Sequence, residues 1–361
     1  MVDGIAQTLA SDESRPAGVD PQRIHVIPAP RRYAVLLNAR AKAWTGEIHQ
    51  AVQRFVPAAD LFLTDDFRQA QQTVEKILGA GYDAVFTGGG DGTVVYLINA
   101  LEKRIQSGKL RREDAPPIGV LRLGTGNAIA TYVGAGPIIE DLRTLHAGSP
   151  LKVHQVSLVG DGEHRFPFAG FGWDADILND YDYVKNQVRD TAWENYVTGL
   201  GGYAVSLASR TIPKAARRSG SQIVITNLGE VGYRLDEHGQ IVREFAPGEV
   251  AYDGPSKICS SATIPFWGFK IRMFPYANLR PGFFELRTYK GNISSLLASL
   301  PSFWKGDVKP EQLSDFLFTK ARVDVLHRPT SYQVAGDAAG LRDSVTWSIA
   351  EHPAYLAVPL Q

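Results

Sequence analysis

A glycine-rich stretch at residues 87–93 constrains this chain more than any other feature. It consists of Thr-Gly-Gly-Gly-Asp-Gly-Thr, follows an apolar run that ends in Val85-Phe86, and precedes a helix-like segment over Val94–Leu101. A strand, a glycine turn and a helix in this order direct backbone N–H groups and a positive helix end at one point, which attracts an anion, above all a phosphate. We expect the glycines to adopt positive φ and to approach the ligand with no Cβ in the way.

Asp91 is the unusual member of this loop, because a bare carboxylate beside a phosphate would repel it. Its presence is explained if it binds Mg²⁺, directly or through water, or if it takes a proton from an attacking hydroxyl. The alternative is a tight turn in which Asp91 only caps the helix. Three consecutive glycines between a strand and a helix favour the functional interpretation.

Length and composition limit the class of protein. A chain of 361 residues is too long for one ordinary core, so two domains are expected, and 44% hydrophobic residues indicate a globular protein. Lys and Arg (38) balance Asp and Glu (38), so attraction of the whole molecule to nucleic acid or anionic lipid is not indicated. The single Cys259 excludes an internal disulfide. The first 20 residues lack an apolar signal region, and no stretch approaches about 18 apolar residues, so we expect a cytoplasmic protein.

The pattern of elements changes near residue 150. Residues 1–30 are polar and contain proline, which predicts a flexible arm. Strands and helices then alternate, which predicts a parallel sheet with helices on both faces over 31–150. From 151 to 361 short strand candidates separated by turns predict a β-rich domain, with one helical stretch around 180–209. These strand candidates are Val153–Val159, Arg165–Gly170, Ser221–Asn227, Ile271–Phe274, Phe284–Tyr289, Ala321–His327 and Thr346–Ala350.

Three polar segments fall at the carboxyl ends of the predicted parallel strands, where such sheets bind ligands. They are Asn38, the loop 88–93 and a second glycine loop at 124–127. Two glycine loops on neighbouring strand ends suit a nucleotide whose phosphates need several N–H donors. The usual dinucleotide fingerprint, the G-x-x-x-x-G-K-[ST] loop and the G-x-S-x-G elbow are absent from the sequence, and the eight His residues show no metal-ligand spacing.

Both loops resemble signatures of the diacylglycerol kinase, sphingosine kinase and ceramide kinase catalytic family. The first is Thr87–Thr93 followed by Asn99-Ala100-Leu101, and the second is Pro117–Ala130, which contains Leu123-Gly124-Thr125-Gly126-Asn127. The resemblance continues through Gly170–Asp176 and covers roughly 31–358. NAD kinases and phosphofructokinases share only the Gly-Gly-Asp-Gly core, so the second loop favours lipid kinases.

The resemblance implies a fold and an activity. The N-terminal α/β domain would be a parallel sheet of the NAD kinase/phosphofructokinase type that binds ATP, and the C-terminal β-sandwich domain would bind the lipid, with its last segment returning to the first domain. The activity would be transfer of the γ-phosphoryl group of ATP, with Mg²⁺, to the hydroxyl of diacylglycerol or of a sphingoid or ceramide-like lipid. The partner would be a lipid at a membrane surface, docked transiently. No nucleic acid is expected, and a homodimer is left open.

The resemblance also assigns roles to individual residues. Catalytic roles fall on Asp91 and Asp337, with Asp91 as the metal ligand, and Asp174 and Asp176 would face the lipid head group unless they are structural residues at a strand end. Thr64 would contact the nucleotide or, equally well, cap the following helix. The complete set of nucleotide-binding positions is Asn38, Thr64, Gly89, Gly90, Asp91, Gly92, Thr93, Gly124, Thr125 and Asn127.

One departure from the family affects the expected activity. The family's late Asp-Gly-Glu resembles Ala335-Gly336-Asp337 here, so direct alignment places Ala335 at the acid proposed as the base in some members. If the loop follows a different path here, Asp337, two residues later in the chain, could take the place of that acid. The alternative is a catalytically weak member that binds nucleotide or lipid as a sensor, and a third option is a kinase of a soluble polyol or nucleotide.

Aromatic residues in the second half of the chain are candidate anchors on a lipid surface, although such residues more often form a core. They are Trp267, Phe269, Phe274, Phe283, Phe284, Phe303 and Trp304.

Overall fold

The computed structural model describes residues 24–39, 41, 44–65, 67–173, 175–176, 221–305 and 312–361. The helices are α1 (Gly46–Phe55), α2 (Phe67–Leu78), α3 (Asp91–Gln106), α4 (Ala128–Tyr132), α5 (Ile138–His146) and α6 (Ile293–Lys305). The strands are β1 (Ile24–Ile27), β2 (Tyr33–Asn38), β3 (Leu61–Thr64), β4 (Ala84–Gly89), β5 (Ile118–Arg122), β6 (Leu151–Val156), β7 (Val159–Gly160), β8 (Arg165–Phe166), β9 (Phe168–Gly172), β10 (Ser221–Asn227), β11 (Gly232–Leu235), β12 (Ile241–Phe245), β13 (Val250–Ser256), β14 (Ile258–Ala262), β15 (Phe284–Tyr289), β16 (Leu313–Phe318), β17 (Lys320–Val325), β18 (Thr330–Val334), β19 (Asp337–Arg342), β20 (Ser344–Ile349) and β21 (Ala354–Pro359).

The first sheet has the order β1-β6-β21-β5-β4-β2-β3, and its strands from β3 to β21 run parallel. Alternate residues of β2 point to opposite faces. Ala34 and Leu36 join a core with side chains of α2 and α3, whereas Val35 and Leu37 join another with side chains of α1 and α5. The predicted parallel sheet with helices on both faces is therefore confirmed.

Local sequence accounts for the helix limits in this part of the chain. Thr45 caps α1 by accepting a hydrogen bond from Ile48 N at 3.3 Å, and Gly79 follows the last residue of α2. Gly90 precedes α3 in an extended conformation, and Asp91 is the first helical residue. The N-terminal end of α3 therefore lies at the glycine loop, as the sequence predicts.

Strands distant in sequence complete the first sheet. In β21, Leu356 pairs with Ile118 of β5 in parallel and with His154 of β6 in antiparallel orientation. Residues 24–27, which the sequence places in the flexible arm, instead form β1 at the edge of the sheet, because they pair with β6. The predicted division at residue 150 stays a prediction, and the first sheet contains strands from both sides of it.

Two antiparallel sheets, together with α6, form the rest of the fold over the described residues. Their orders are β13-β10-β17-β20-β7-β8 and β12-β11-β16-β15-β14-β9-β18-β19. The sheets face each other through large side chains: the Trp347 ring of β20 lies 5.6 Å from the Phe171 ring of β9 and 6.5 Å from the Tyr332 ring of β18, and all three residues are buried. This arrangement confirms the predicted β-sandwich.

Some predicted elements differ from the structure. Ile271–Phe274 is not a strand but part of a buried loop, because the Arg287 guanidinium binds the Met273 carbonyl oxygen in place of a neighbouring strand. The predicted helical stretch at 180–209 lies outside the described residues. Within the described ranges, no helix combines the length and the apolar character needed to cross a bilayer.

Candidate active site

The two glycine loops contact each other at the carboxyl edge of the first sheet. Gly88 and Gly89 end β4, and Gly124 follows the neighbouring β5 by two residues. A Cβ on Gly124 would lie 2.5 Å from Gly90 Cα and 2.6 Å from Gly89 O. Residue 124 must therefore be glycine for the loops to come together.

The conformation of the first loop differs from the expectation. None of the glycines from 88 to 92 has a positive φ, and Gly90 is extended at φ −81° and ψ 177°. The expected left-handed glycines are therefore wrong for this loop. Close approach explains the glycine at residue 92 instead, because a Cβ there would overlap Asp337 Oδ2.

Asp91 joins the first loop to the second. Its two carboxylate oxygens accept hydrogen bonds from Ala128 N (3.0 Å) and Ile129 N (2.8 Å) at the start of α4. The carboxylate is enclosed by the second loop, and this burial raises its pKa to about 6, although the two N–H donors oppose the shift. These contacts match the helix-capping alternative, although the capped helix is α4 rather than α3. The catalytic and Mg²⁺-binding roles of Asp91 stay predictions.

Asn127 shapes the second loop. It adopts a left-handed conformation at φ 52° and ψ 40° and precedes α4, and its Nδ2 donates to Gly124 O at 2.6 Å. Asn tolerates this conformation better than most residues because its short amide bonds to nearby backbone. Thr125, which lies between Gly124 and Asn127 in the chain, is half-buried. A nucleotide contact by Thr125 or Asn127 stays a prediction.

Asn38 and Thr64 are adjacent at the ends of β2 and β3, on the same edge as the glycine loops. Thr64 is buried, and its hydroxyl donates to Leu37 O at 3.5 Å. Because α2 begins at Phe67, Thr64 does not occupy the N-cap position, and that alternative is wrong. The nucleotide role of both residues stays a prediction.

Asp337 brings an acid from the second half of the chain to the first loop. It begins β19 after a two-residue turn in which Ala335 (φ 49°) and Gly336 (φ 87°) are both left-handed. Asp337 Oδ2 lies against Gly92, near the N-terminal end of α3. Ala335 is buried in the turn, and its N–H donates to Phe168 O at 3.0 Å. The structure therefore places Asp337, and not residue 335, at the glycine loop.

The two acids predicted to face a lipid head group follow β9. Asp176 is half-buried and accepts a hydrogen bond from Ser331 Oγ at 2.7 Å, which ties it to β18. Asp174 lies outside the described residues. The substrate role of both stays a prediction.

A turn that the sequence analysis missed reaches the second glycine loop. Phe269 N donates to Gly126 O at 2.9 Å, and Gly268 lies beside Gly126. The sequence marked Trp267 and Phe269 only as apolar anchors. A glycine between two aromatic residues was the available signal for a close approach of this turn to another backbone.

Four of the seven candidate lipid anchors are core residues. Phe274, Phe283, Phe284 and Phe303 are buried among other apolar side chains, so the lipid interpretation is wrong for them. Trp267 and Phe269 are half-buried at the turn beside Gly126. The side chain of Trp304 lies outside the described set.

The donors present are compatible with a magnesium–nucleotide complex. Within the described ranges, no group of three or more His, Cys, Asp or Glu side chains could hold a metal ion. Mg²⁺ that arrives with nucleotide phosphates needs only one or two protein carboxylates. Asp91 directly precedes Gly92 in the chain, and the carboxylate of Asp337 lies against Gly92. Two carboxylate residues therefore adjoin one glycine of the loop.

Comparison with known proteins identifies a related catalytic domain. Residues 32–158 match the model of the diacylglycerol kinase catalytic domain. Diacylglycerol kinase 2 of Arabidopsis thaliana is 24% identical over 196 residues, which cover 48% of this chain but only 27% of that protein. The resemblance to the diacylglycerol kinase family, first seen in the two glycine loops, is thereby confirmed.

Solved structures show the same fold over most of the chain. A diacylglycerol kinase from Bacillus anthracis str. Sterne has a TM-score of 0.56 at 14% identity, covering 91% of this chain and 96% of its own. A second protein of that organism, provisionally described as a diacylglycerol kinase, has a TM-score of 0.61 at 16% identity, covering 91% and 97%. At these identities the likeness is one of fold.

Proposed function

We propose that this protein is a lipid kinase that transfers the γ-phosphoryl group of ATP to the hydroxyl of a lipid, of the diacylglycerol or the sphingoid and ceramide-like class. The observation that carries the proposal is the position of Asp337 against Gly92. An acid contributed by the second half of the chain lies at the loop whose N–H groups would bind phosphates. The catalytic-domain match over 32–158 supports a lipid kinase in general terms.

The glycine loops would supply the phosphate site. The N-terminal end of the 16-residue α3 begins at Asp91, and its partial positive charge favours a phosphate there. Gly89–Thr93 and Gly124–Thr125 would donate backbone N–H groups from two sides. Asp91 holds the second loop against the first through Ala128 N and Ile129 N. Such chemistry depends mostly on positioning and on neutralisation of charge.

Asp337 would act on the acceptor. The lipid hydroxyl oxygen forms a bond to the γ-phosphorus while the bond from that phosphorus to the β–γ bridging oxygen breaks, so that ADP leaves. The hydroxyl proton passes to the Asp337 carboxylate. Mg²⁺, held by the nucleotide phosphates with Asp91 or Asp337, would neutralise charge on the transferring group.

The half-buried Trp267 and Phe269 beside Gly126 support an apolar acceptor. They offer an apolar surface next to the second loop, where an acyl or sphingoid chain could lie while its hydroxyl reaches the phosphate site. Docking at a membrane surface would then be transient and would use this same part of the molecule.

Transfer of labelled phosphate from ATP with Mg²⁺ to lipids in mixed micelles tests the proposal. The native protein is compared with Asp337→Asn, which keeps the shape of the side chain but removes the proton acceptor. Asp343→Asn is the matched control, because Asp343 is an exposed acid just beyond the same hairpin. We expect label in one lipid class, at least about 100-fold less in D337N, and native activity in D343N.

Other outcomes decide between the alternatives. ATP binding without transfer to any acceptor would indicate a sensor. Label entering a soluble polyol or nucleotide in the absence of micelles would indicate the soluble-substrate kinase. Native activity in D337N would overturn the role of Asp337 as proton acceptor.

A further inference from the structure

The turn at residues 267–271 has a backbone conformation that its side chains do not favour. Ile271 N donates to Gly268 O at 2.8 Å, which closes a two-residue turn at Phe269 and Lys270. These residues have φ of 51° and 61°, so both are left-handed. Asn or Gly is the usual occupant of such a turn, because a larger L-residue there is strained.

A buried network holds the chain that follows this turn. Arg287 Nε lies 2.5 Å from Asp315 Oδ1, its Nη2 lies 3.0 Å from Asp315 Oδ2, and its Nη1 donates to Met273 O. Glu285 Oε2 accepts a hydrogen bond from Tyr276 N at 2.7 Å. All three charged side chains are buried on β15 and β16. Strain of this kind persists only where the surroundings determine the conformation, and it is concentrated at ligand clamps.

The tip of the turn touches the point where the two glycine loops meet. Phe269 N binds Gly126 O at 2.9 Å, and a Cβ on Gly126 would lie 3.8 Å from Gly268 Cα and 3.5 Å from Asp91 Oδ2. The turn therefore lies against the second loop one residue from Thr125, and Asp91 of the first loop is beside the same glycine.

Lys270 carries a positive charge at this tip. Its side chain is exposed, and it forms no ion pair with any residue in the described part of the chain. A flexible four-carbon stem lets a lysine ammonium reach a phosphate as a point charge. The strained turn therefore presents a cation next to two loops that would donate N–H groups to phosphates.

We infer that Lys270 binds the phosphates of the nucleotide, and that the 267–271 turn is the element that delivers it to the glycine loops. The inference rests on the proposed function, because it names a further residue of the same site. It also explains why a lysine rather than Asn or Gly occupies residue 270 of this turn: the position requires a long cation more than an unstrained backbone.

Calorimetric titration of the full chain with ATP and Mg²⁺, without lipid, tests the inference. Lys270→Asn removes the charge and keeps a residue that tolerates positive φ, so folding is retained. Lys270→Arg keeps the charge, and Lys290→Asn removes an exposed lysine after β15 as the matched control. We expect the Kd for ATP to rise about tenfold in K270N. In K270R and K290N it should stay within about threefold.

The possible failures are distinguishable. If the native protein and K270N bind ATP with the same Kd, the inference is overturned while the proposed function stands. If the native protein binds no ATP, the proposed function and the inference fall together. An equal or higher unfolding midpoint for K270N shows that a weaker affinity does not result from a damaged fold.

Discussion

The carboxylate of Asp337 occupies the space that a side chain at residue 92 would need. One residue begins β19 in the antiparallel part of the fold, and the other lies in the first turn of α3. The glycine at residue 92 is thus explained by a partner almost 250 residues away in the chain.

Gly92→Ala should abolish most phosphoryl transfer, because its methyl group would displace either Asp337 or the start of α3. Because Asp337 is exposed, its side chain can move aside with little loss of stability, but it then leaves the glycine loop. Gly46→Ala is the control, since Gly46 is exposed at the start of α1 and a Cβ there meets nothing within 4 Å. The double variant G92A/D337A should transfer no less phosphate than D337A alone, because the methyl group then has no carboxylate to displace. Native activity in G92A would contradict this explanation of the glycine.

Arg287→Leu should destabilise the fold by about 3–5 kcal/mol, because it leaves the buried Asp315 carboxylate without its cation. Met273 O would lose its donor at the same time, so the turn at 267–271 should loosen and the affinity for ATP should fall. Urea unfolding measures the first effect and calorimetry the second. Arg322→Leu, which removes the exposed pair with Asp324, should leave both unchanged.

Asn99→Leu should destabilise the contact between α3 and β8. Asn99 Nδ2 donates to Arg165 O, and Asn99 Oδ1 accepts from Arg165 N, both at 2.8 Å. Loss of the side chain leaves these two backbone groups unpaired, which costs about 1–3 kcal/mol. Urea unfolding measures the change, and Gln106→Ala on the exposed face of α3 is the control. Equal stability of N99L and the native protein would show that water replaces the amide.

The stability of the protein should depend on pH through Asp141. Burial of this carboxyl raises its pKa to about 6, and Gln361 and Gly136 donate to it in opposition. Because the folded pKa exceeds the unfolded one, the folded state holds the proton more tightly. The contribution is complete below about pH 4 and is lost as the pH rises through 6, by up to about 1.4 kcal/mol per pH unit.

Asp141→Asn removes this titration and keeps an oxygen for Gln361 Nε2. Urea unfolding between pH 4 and 7 should therefore show a flatter profile in D141N than in the native protein. D343N, at an exposed acid, should keep the native profile. Parallel profiles for D141N and the native protein would show that Asp141 does not titrate in this range.

Local patterns predicted the elements that bury one continuous face. Ser221–Asn227 and Phe284–Tyr289 are strands with the predicted limits. The hairpin strands were harder to predict. In β12, for example, four of the five residues are exposed, so the chain there shows no apolar alternation to detect.

Contacts between distant segments set the limit of prediction at the site. The two loops were evident because glycine and aspartate mark them in the sequence. Two contacts depend on how distant parts of the fold meet. They are the close approach of Asp337 to Gly92 and the hydrogen bond from Phe269 N to Gly126 O. The Ile271–Phe274 segment is apolar apart from Arg272, which predicts a strand, but the buried Arg287 guanidinium donates to the carbonyl oxygen of Met273.

The position of β21 imposes an order of assembly on the molecule. It separates β5 from β6 in the first sheet, so during synthesis this sheet has two open strand edges until residues 354–359 emerge. Pairing over so large a sequence separation is slow, and open edges invite association with other chains. Maturation of the sheet that carries the glycine loops thus waits for residues 354–359, and a chain that lacks them is the form most exposed to aggregation.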